Sequence, residues 1–253
     1  VSYTGAAAVF CTAVLAQRSS GSCNVFPPTH HANWPLTARE IAIICWVLHF
    51  VRRAAESAWL HRYSQPTVPI FDTATEFLYY WVFAVCIAHS VVCTDSPRAA
   101  LSAMQLSGVF LWFLAEVGNC HVHIQLARLR PPPATAEPRE GRRRAGAREA
   151  LRLPEGQCFE LVSFPHYLCE ISSWVGWNLL IGLPSPALDA ALWNTHPIAA
   201  LEAWSGVLFA CLGAAIMTSW ADEKHSKLRQ HFNGKEGKPR FPSHRKRILP
   251  YIY

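Results

Sequence analysis

Long apolar runs constrain this chain more than any other feature of the sequence. Six apolar segments can be drawn, and most approach the ~20 residues that a helix needs to cross a bilayer. They cover residues 1–17, 38–51, 74–92, 99–120, 158–183 and 191–220. A helix that is apolar on every side is a membrane span or the centre of a large core, and 253 residues cannot enclose six of the latter. The pattern predicts an all-α, polytopic helical membrane protein with about six to seven transmembrane helices.

The composition points the same way. Hydrophobic residues make up 51% of the chain and charged residues only 16%, whereas a soluble domain usually carries about a quarter of its residues as charges. The nine cysteines lie mostly inside the apolar segments and form no CxxC pair. We interpret them as small reduced hydrophobes, and no metal site or disulfide framework is expected.

Basic residues are distributed unevenly between the loops. If the segments cross alternately, the loops on one side hold three of the 23 lysines and arginines, and those on the other side hold twenty. The positive-inside rule then places the basic side, with both ends of the chain, in the cytosol. Residues 131–150 form a basic, proline-rich cytosolic loop. Because no aromatic residues interleave its arginines, a lipid bilayer is the expected partner and nucleic acid is not.

Charged side chains at membrane depth are costly, so each needs a partner or a purpose. The first such stretch is 49–64, where Arg52 and Arg53 each lie about one helical turn from Glu56. These spacings fit intrahelical ion pairs at the end of a span, and they equally fit a functional site.

Two further polar stretches follow. Asn119, His123 and Arg130 share one helical face, which suits either a phosphate ligand or a ladder of hydrogen bonds between helices. In the stretch 151–177, His166, Tyr167 and Glu170 bring an imidazole, a phenol and a carboxylate together. Tyrosine and histidine also occur in interfacial belts, but a glutamate within an aromatic helix favours an acid–base site.

The order of these motifs resembles a known family. The chain contains HFVRRxxExxxxHRYS with Pro69, then GNxxxHxxLxxLRP and PHYxxExxSWxGW, and finally WAxxKHxxL with Phe232, GKxGKP and RILP. Together they resemble the very-long-chain trans-2-enoyl-CoA reductases of the membrane-bound steroid 5-alpha-reductase superfamily. The similarity runs from about Leu48 to the C-terminus, and four motifs in the same order make it specific.

The resemblance implies an oxidoreductase of the endoplasmic reticulum membrane, multi-pass and with its active site facing the cytosol. It would reduce the trans-2 double bond of long-chain enoyl-CoA with NADPH in the last step of fatty-acid elongation. Its partners would be the condensing enzyme, the ketoacyl reductase and the dehydratase of that cycle. Tyr167 matches the catalytic tyrosine. The positions matching the NADPH site are Asn119, His123, Arg130, Arg152, His166 and Glu170, with Arg53, His225 and Arg245 as further candidates.

The reaction chemistry agrees with these residue types. Hydride addition to the beta carbon moves charge onto the thioester oxygen, and the alpha carbon then needs an acid. A tyrosine with an ordinary pKa near ~10 is protonated at neutral pH and can serve if nearby cations stabilise its phenolate. Glu170 is expected to hold the nicotinamide amide, while Arg130 and Arg152 meet the phosphates. No GxGxxG is present, so a Rossmann domain is not expected.

The chain departs from the family pattern at three places. His166 stands where relatives carry Asn, Phe50 where they carry Tyr, and Ser2 where they carry a Glu implicated in activity. Many relatives also begin with a ubiquitin-like soluble domain that these residues lack, so the expectation is one membrane-embedded reductase domain over 1–253. Two alternatives stay open: a sibling reductase acting on a steroid or polyprenol, and a catalytically inactive scaffold of the elongation complex. The RxxExxxxHRYS segment favours the enoyl-CoA branch.

Overall fold

A computed structural model describes residues 2–20, 36–60, 69–93, 100–129, 152–184, 197–234 and 239–253. Regular structure within these residues is helical, apart from two isolated β-bridges. The helices are α1 (Ser2–Ser20), α2 (Ala38–Ala55), α3 (Ile70–Cys93), α4 (Ala103–Leu129), α5 (Pro165–Ile181) and α6 (Pro197–His231). A π-helical turn (Glu56–Leu60) continues α2, and a 3-10 turn (Gln157–Glu160) precedes α5. The all-helical fold class is confirmed, and the predicted loop 131–150 lies outside the described residues.

Local sequence signals set several helix starts. The side chain of Thr37 accepts a hydrogen bond from the backbone N–H of Glu40 at 3.2 Å, and the Glu40 carboxylate accepts one from the backbone N–H of Thr37 at 2.8 Å. Ser102 and Gln105 form the same reciprocal arrangement before α4. Pro165 occupies the first turn of α5, where its missing N–H costs nothing. The fifth apolar segment therefore becomes helical at Pro165, later than its predicted start at residue 158.

An aromatic core joins four of the helices. Trp46 of α2 is fully buried and stacks on Phe10 of α1 with ring centroids 5.0 Å apart. Its ring also packs against Trp177 of α5 at 5.7 Å and Phe209 of α6 at 5.5 Å. The Trp177 indole N–H donates to the carbonyl of Ala42 at 2.9 Å, so this buried polar atom has a partner.

Helices α4 and α5 approach most closely through two glycines. A Cβ atom on Gly108 would lie 2.6 Å from the carbonyl oxygen of Gly176, and one on Gly176 would lie 2.7 Å from the backbone nitrogen of Trp112. No side chain fits between these backbones, which is the usual role of small residues at helix contacts in membrane proteins. The contact fixes the polar face of α4 against the first turns of α5.

Contacts at the two ends of the bundle show how the helices run. Arg53, near the end of α2, donates to the hydroxyl of Tyr3, near the start of α1, at 3.3 Å. At the opposite end, the Nδ1 atom of His89, late in α3, lies 2.7 Å from a carboxylate oxygen of Glu202, early in α6. Both neighbouring pairs are therefore antiparallel, as alternating crossings require.

The exterior of the bundle is rich in apolar side chains. Phe110 and Phe113 of α4 and Leu78 of α3 are more than half exposed, and exposed apolar surface of this kind marks a membrane or interaction face. Within the part of the chain that the structure describes, two helices are long and apolar enough to cross a membrane by themselves, over Ile70–Val92 and Ala200–His231. These features indicate a membrane protein, while the count of six to seven spans stays a prediction.

Candidate active site

Eight polar side chains meet where α2, α4 and α5 pack together near one end of the bundle. We call them the charge cluster. Its members are His49, Arg52, Arg53 and Glu56 on α2 and its π-helical continuation, Glu116, Asn119 and His123 on α4, and Glu170 on α5. On α2 and on α4 the members lie three, four or seven residues apart, apart from the adjacent pair Arg52 and Arg53, and therefore share a face of each helix. Because all of them are buried or half-buried, each one needs a polar partner.

A histidine bridges two glutamates at the centre of the charge cluster. The Nδ1 atom of His49 lies 2.8 Å from an oxygen of Glu116, and its Nε2 atom lies 3.0 Å from an oxygen of Glu170. A neutral imidazole has only one N–H, so two carboxylate contacts require one additional proton in this triad. With that proton, the charges of three glutamates, two arginines and His49 sum to zero.

The two arginines are held by carboxylates on both sides. The Nε atom of Arg52 donates to Glu116 at 2.7 Å, and its Nη1 atom contacts Glu56 and also Asn119, the latter at 3.2 Å. Arg53 donates to Glu56 at 2.6 Å. Burial alone would raise the pKa of Glu56, but its hydrogen bond with His123 and the charges of the two arginines outweigh burial. They hold that pKa at about 2.

The α4 residues connect this ion-pair network to α5. His123 Nδ1 lies 2.7 Å from an oxygen of Glu56. The amide nitrogen of Asn119 donates to the carbonyl of His166 at 2.8 Å and to Glu170 at 3.2 Å. The structure thus brings together four of the predicted site residues, Asn119, His123, His166 and Glu170, with Arg53 alongside.

Tyr167 lies at the edge of the charge cluster. Its ring is half-buried, 4.3 Å from the His166 ring and stacked on Phe164 at 5.6 Å. The hydroxyl accepts a hydrogen bond from the ammonium group of Lys224 on α6 at 2.7 Å. The candidate acid is therefore paired with a cation.

His225 and Arg245 belong to a second, adjoining group. His225 is buried and its Nδ1 atom lies 2.9 Å from the hydroxyl of Ser163. Arg245 donates to the carbonyl of Pro154 at 2.9 Å, and burial lowers its pKa from the ordinary value. The C-terminal segment joins this group to the charge cluster, because the backbone N–H of Phe164, two residues before His166, donates to the carbonyl of Arg247 at 3.1 Å.

The last two predicted site residues have different outcomes. Arg152 is exposed, on the segment that leads to the 3-10 turn, and the structure does not bring it into the charge cluster. Arg130 lies outside the described residues. The phosphate-binding roles predicted for both stay predictions.

Comparison with known proteins identifies the family of this chain. Residues 66–253, which include α3 to α6, match the family described as 3-oxo-5-alpha-steroid 4-dehydrogenase. The chain belongs to this family. Similar proteins include a very-long-chain enoyl-CoA reductase of Dictyostelium discoideum, 32% identical over 85% of this chain and 58% of the relative. A probable very-long-chain enoyl-CoA reductase of Caenorhabditis elegans is 27% identical over 85% of this chain and 59% of the relative.

A third relative bears on the alternative substrates. Polyprenal reductase 1 of Arabidopsis thaliana is 25% identical over 97% of this chain and 77% of its own length. Against the two enoyl-CoA reductases, the chain spans only a little more than half of the relatives' length. Membership in the reductase superfamily is thus confirmed by proteins named for two different substrates.

Unpartnered polar atoms provide a test of whether a nicotinamide cofactor fits this site. The Nη2 atom of Arg52 and the Nδ1 atom of His166 are buried, and neither has a hydrogen-bond partner among the described residues. Such atoms are costly unless a ligand or water satisfies them. A carboxamide has both an acceptor and donors, so the residues present fit the nicotinamide end of the cofactor.

Several residues of the site are not among those predicted from the sequence. Glu116 gives the clearest signal, because it is a carboxylate inside a predicted span and intramembrane charge marks a functional or paired residue. His49 and Lys224 lie within recognised motifs without an assigned role. Tyr3 gives no local signal, since its contact with Arg53 joins residues 50 positions apart.

Proposed function

We propose that this chain reduces the trans-2 double bond of long-chain enoyl-CoA with NADPH, as the last step of fatty-acid elongation at the endoplasmic reticulum membrane. The observation that carries the proposal is Tyr167, a phenol hydrogen-bonded to Lys224 beside a buried charge cluster. Membership in the family, together with two similar proteins named as very-long-chain enoyl-CoA reductases, supports an oxidoreductase acting on CH–CH groups.

Tyr167 is the proposed acid. When bound beside Glu170 and Asn119, NADPH would supply a hydride for the beta carbon of the enoyl thioester, and negative charge would develop on the thioester carbonyl. Tyr167 then gives its proton to the alpha carbon, which leaves a phenolate beside the ammonium group of Lys224. A proton from solvent restores the phenol, so the sum is one hydride and one proton added across one double bond.

Glu170 and its neighbours are the proposed contacts of the nicotinamide. Its carboxylate contacts His49 at 3.0 Å and Asn119 at 3.2 Å, which leaves lone pairs for an amide N–H of the ligand. His123, His166 and Arg53 border the same place. Arg130, Arg152, His225 and Arg245 remain the proposed contacts for the rest of the dinucleotide.

Basic loop residues support the proposed orientation. CoA and NADPH are anionic and cytosolic, whereas a long acyl chain dissolves in the bilayer. A cytosolic face carrying most of the 23 basic residues, above an apolar bundle, suits both ends of that substrate. The condensing enzyme, ketoacyl reductase and dehydratase of elongation are the proposed partners.

A substrate screen with purified protein in detergent tests the proposal. We expect NADPH oxidation with long trans-2-enoyl-CoA, and Tyr167→Phe should lower turnover roughly 10²- to 10⁴-fold because the acid is lost. NADPH affinity should stay within a few-fold, and Tyr251→Phe, at an exposed tyrosine, should match the wild type. Wild-type turnover in Tyr167→Phe would refute the role of Tyr167.

The same screen separates the alternatives. The similarity to polyprenal reductase 1 over 97% of the chain makes a polyprenyl substrate the second candidate, so polyprenal and a 3-oxo-4-ene steroid are included. Activity only with one of these would replace the enoyl-CoA proposal. A wild type that binds no NADPH would favour the inactive scaffold.

A further inference from the structure

Lys224 of α6 contacts the phenol of Tyr167 directly. Its ammonium group donates to the Tyr167 hydroxyl at 2.7 Å. The ring of Trp220, one turn earlier on α6, lies 5.6 Å from the same nitrogen. The phenol oxygen and the Trp220 ring thus hold an exposed side chain that is otherwise free to move in solvent.

Other titratable groups near Tyr167 are positioned differently. On its own helix, His166 approaches with its ring 4.3 Å away and Glu170 lies one turn further on. From α4, His123 packs against the His166 ring, with the ring centroids 5.4 Å apart. From α6, Lys224 provides the one ammonium group that donates to the Tyr167 hydroxyl among the described residues.

The direction of this hydrogen bond matters for proton transfer. An ammonium group only donates, so Lys224 uses a lone pair of the phenol oxygen and leaves the hydroxyl proton to point elsewhere. A cation within hydrogen-bond distance also favours the charged form of an acid. The hydroxyl proton of Tyr167 therefore points away from Lys224 and α6. The charge of Lys224 also stabilises the phenolate that remains after proton transfer.

We propose that Lys224 is a positioning residue that prepares Tyr167 to give up its proton during double-bond reduction. This inference rests on the proposed function, since it assigns a helper to the proposed acid. It names a residue for which neither the motif pattern nor the charge cluster provides a role.

The pH profile of turnover tests this inference, because a merely structural lysine would not move it. Removing the cation disfavours the phenolate, so Lys224→Gln should move the high-pH side of the profile, its basic limb, upward. Turnover at neutral pH should fall about 10-fold or more, and Lys224→Arg should restore much of it because it keeps the charge.

Lys227→Gln is the matched control. Lys227 lies one turn further along α6, is exposed, and pairs with Glu223 instead of a phenol, so its removal should leave the profile unchanged. A basic limb and turnover in Lys224→Gln equal to those of the wild type would overturn the inference. So would an identical shift in Lys227→Gln, because surface charge alone would then explain it.

A second measurement separates this inference from the proposed function. Ultraviolet titration of phenolate absorbance, as the difference between each protein and its Tyr167→Phe counterpart, reports Tyr167 without any substrate. We expect a higher midpoint in Lys224→Gln than in the wild type. If no substrate is reduced but this difference appears, the proposed function fails and the Lys224–Tyr167 coupling stands. If the midpoints coincide, the coupling fails.

Discussion

Replacing Glu116 by Gln tests whether the charge cluster holds the bundle together. Glu116 contacts His49 at 2.8 Å and Arg52 at 2.7 Å, and both partners are largely buried. Removing one member of a buried ion pair usually costs about 3–5 kcal/mol, because an uncompensated charge stays behind. Arg52 keeps its contacts with Glu56 and Asn119, so we expect the lower end, about 3 kcal/mol.

Thermal unfolding in detergent measures this loss. For a chain of this size, 1 kcal/mol corresponds to about 2–4 °C in Tm, so Glu116→Gln should lower Tm by about 6–12 °C. Glu223→Gln is the matched control, because Glu223 pairs with Lys227 on the exposed face of α6. Exposed pairs contribute little, and this change should move Tm by about 1 °C.

A double-mutant cycle identifies the interaction responsible. The contact between Glu116 and His49 depends on a protonated imidazole, so the changes Glu116→Gln and His49→Gln are coupled. The loss in free energy of unfolding for the double variant should be smaller than the sum of the two single losses, by about 0.5–3 kcal/mol. Additive effects would show that Glu116 does not act through His49. A Tm loss in Glu116→Gln no larger than in Glu223→Gln would refute the reasoning from buried charge.

Two more predictions concern acid stability and helix packing. The pKa of Glu56 is held at about 2 against an ordinary 4.5, so its carboxylate stabilises the fold fully above about pH 5 and progressively less as pH falls towards 2. Tm measured across that range should therefore fall less steeply in Glu56→Gln than in the wild type; equal slopes would contradict this. Gly108→Val should cost about 3 kcal/mol, because a side chain there meets the backbone of Gly176. Ser107→Val, on the exposed side of the same turn, should leave Tm nearly unchanged, and equal losses would argue against the glycine contact.

Sequence patterns predict the helical elements well, because apolar composition and capping signals are local. All six apolar segments correspond to helices among the described residues. The ends differ where polar residues continue a helix beyond its apolar part: α4 runs to Leu129 and α6 to His231, past the predicted ends at 120 and 220. Hydropathy marks where a helix leaves apolar surroundings, whereas backbone hydrogen bonding continues until a breaker stops it.

The candidate site is predictable one helix at a time. Residues Asn119 and His123 share a face by spacing alone, and so do His166 and Glu170. What the sequence leaves open is which helix faces which. The link from Glu116 through His49 to Glu170 depends on the contact of α4 with α5 at two glycines, and no local rule predicts that contact.

The balance of charge differs between the charge cluster and the exposed basic residues outside it. Within the charge cluster, two guanidinium groups face three carboxylates at close range, so Arg52 and Arg53 present no net positive field to an incoming anion. A phosphate placed there would also face Glu56 and Glu170. The cation that would attract phosphates must therefore lie outside the cluster, on exposed groups such as Arg152. If the proposed cofactor binds, its uncharged nicotinamide end belongs at the charge cluster, beside Tyr167. Its phosphates belong near exposed basic residues outside the cluster.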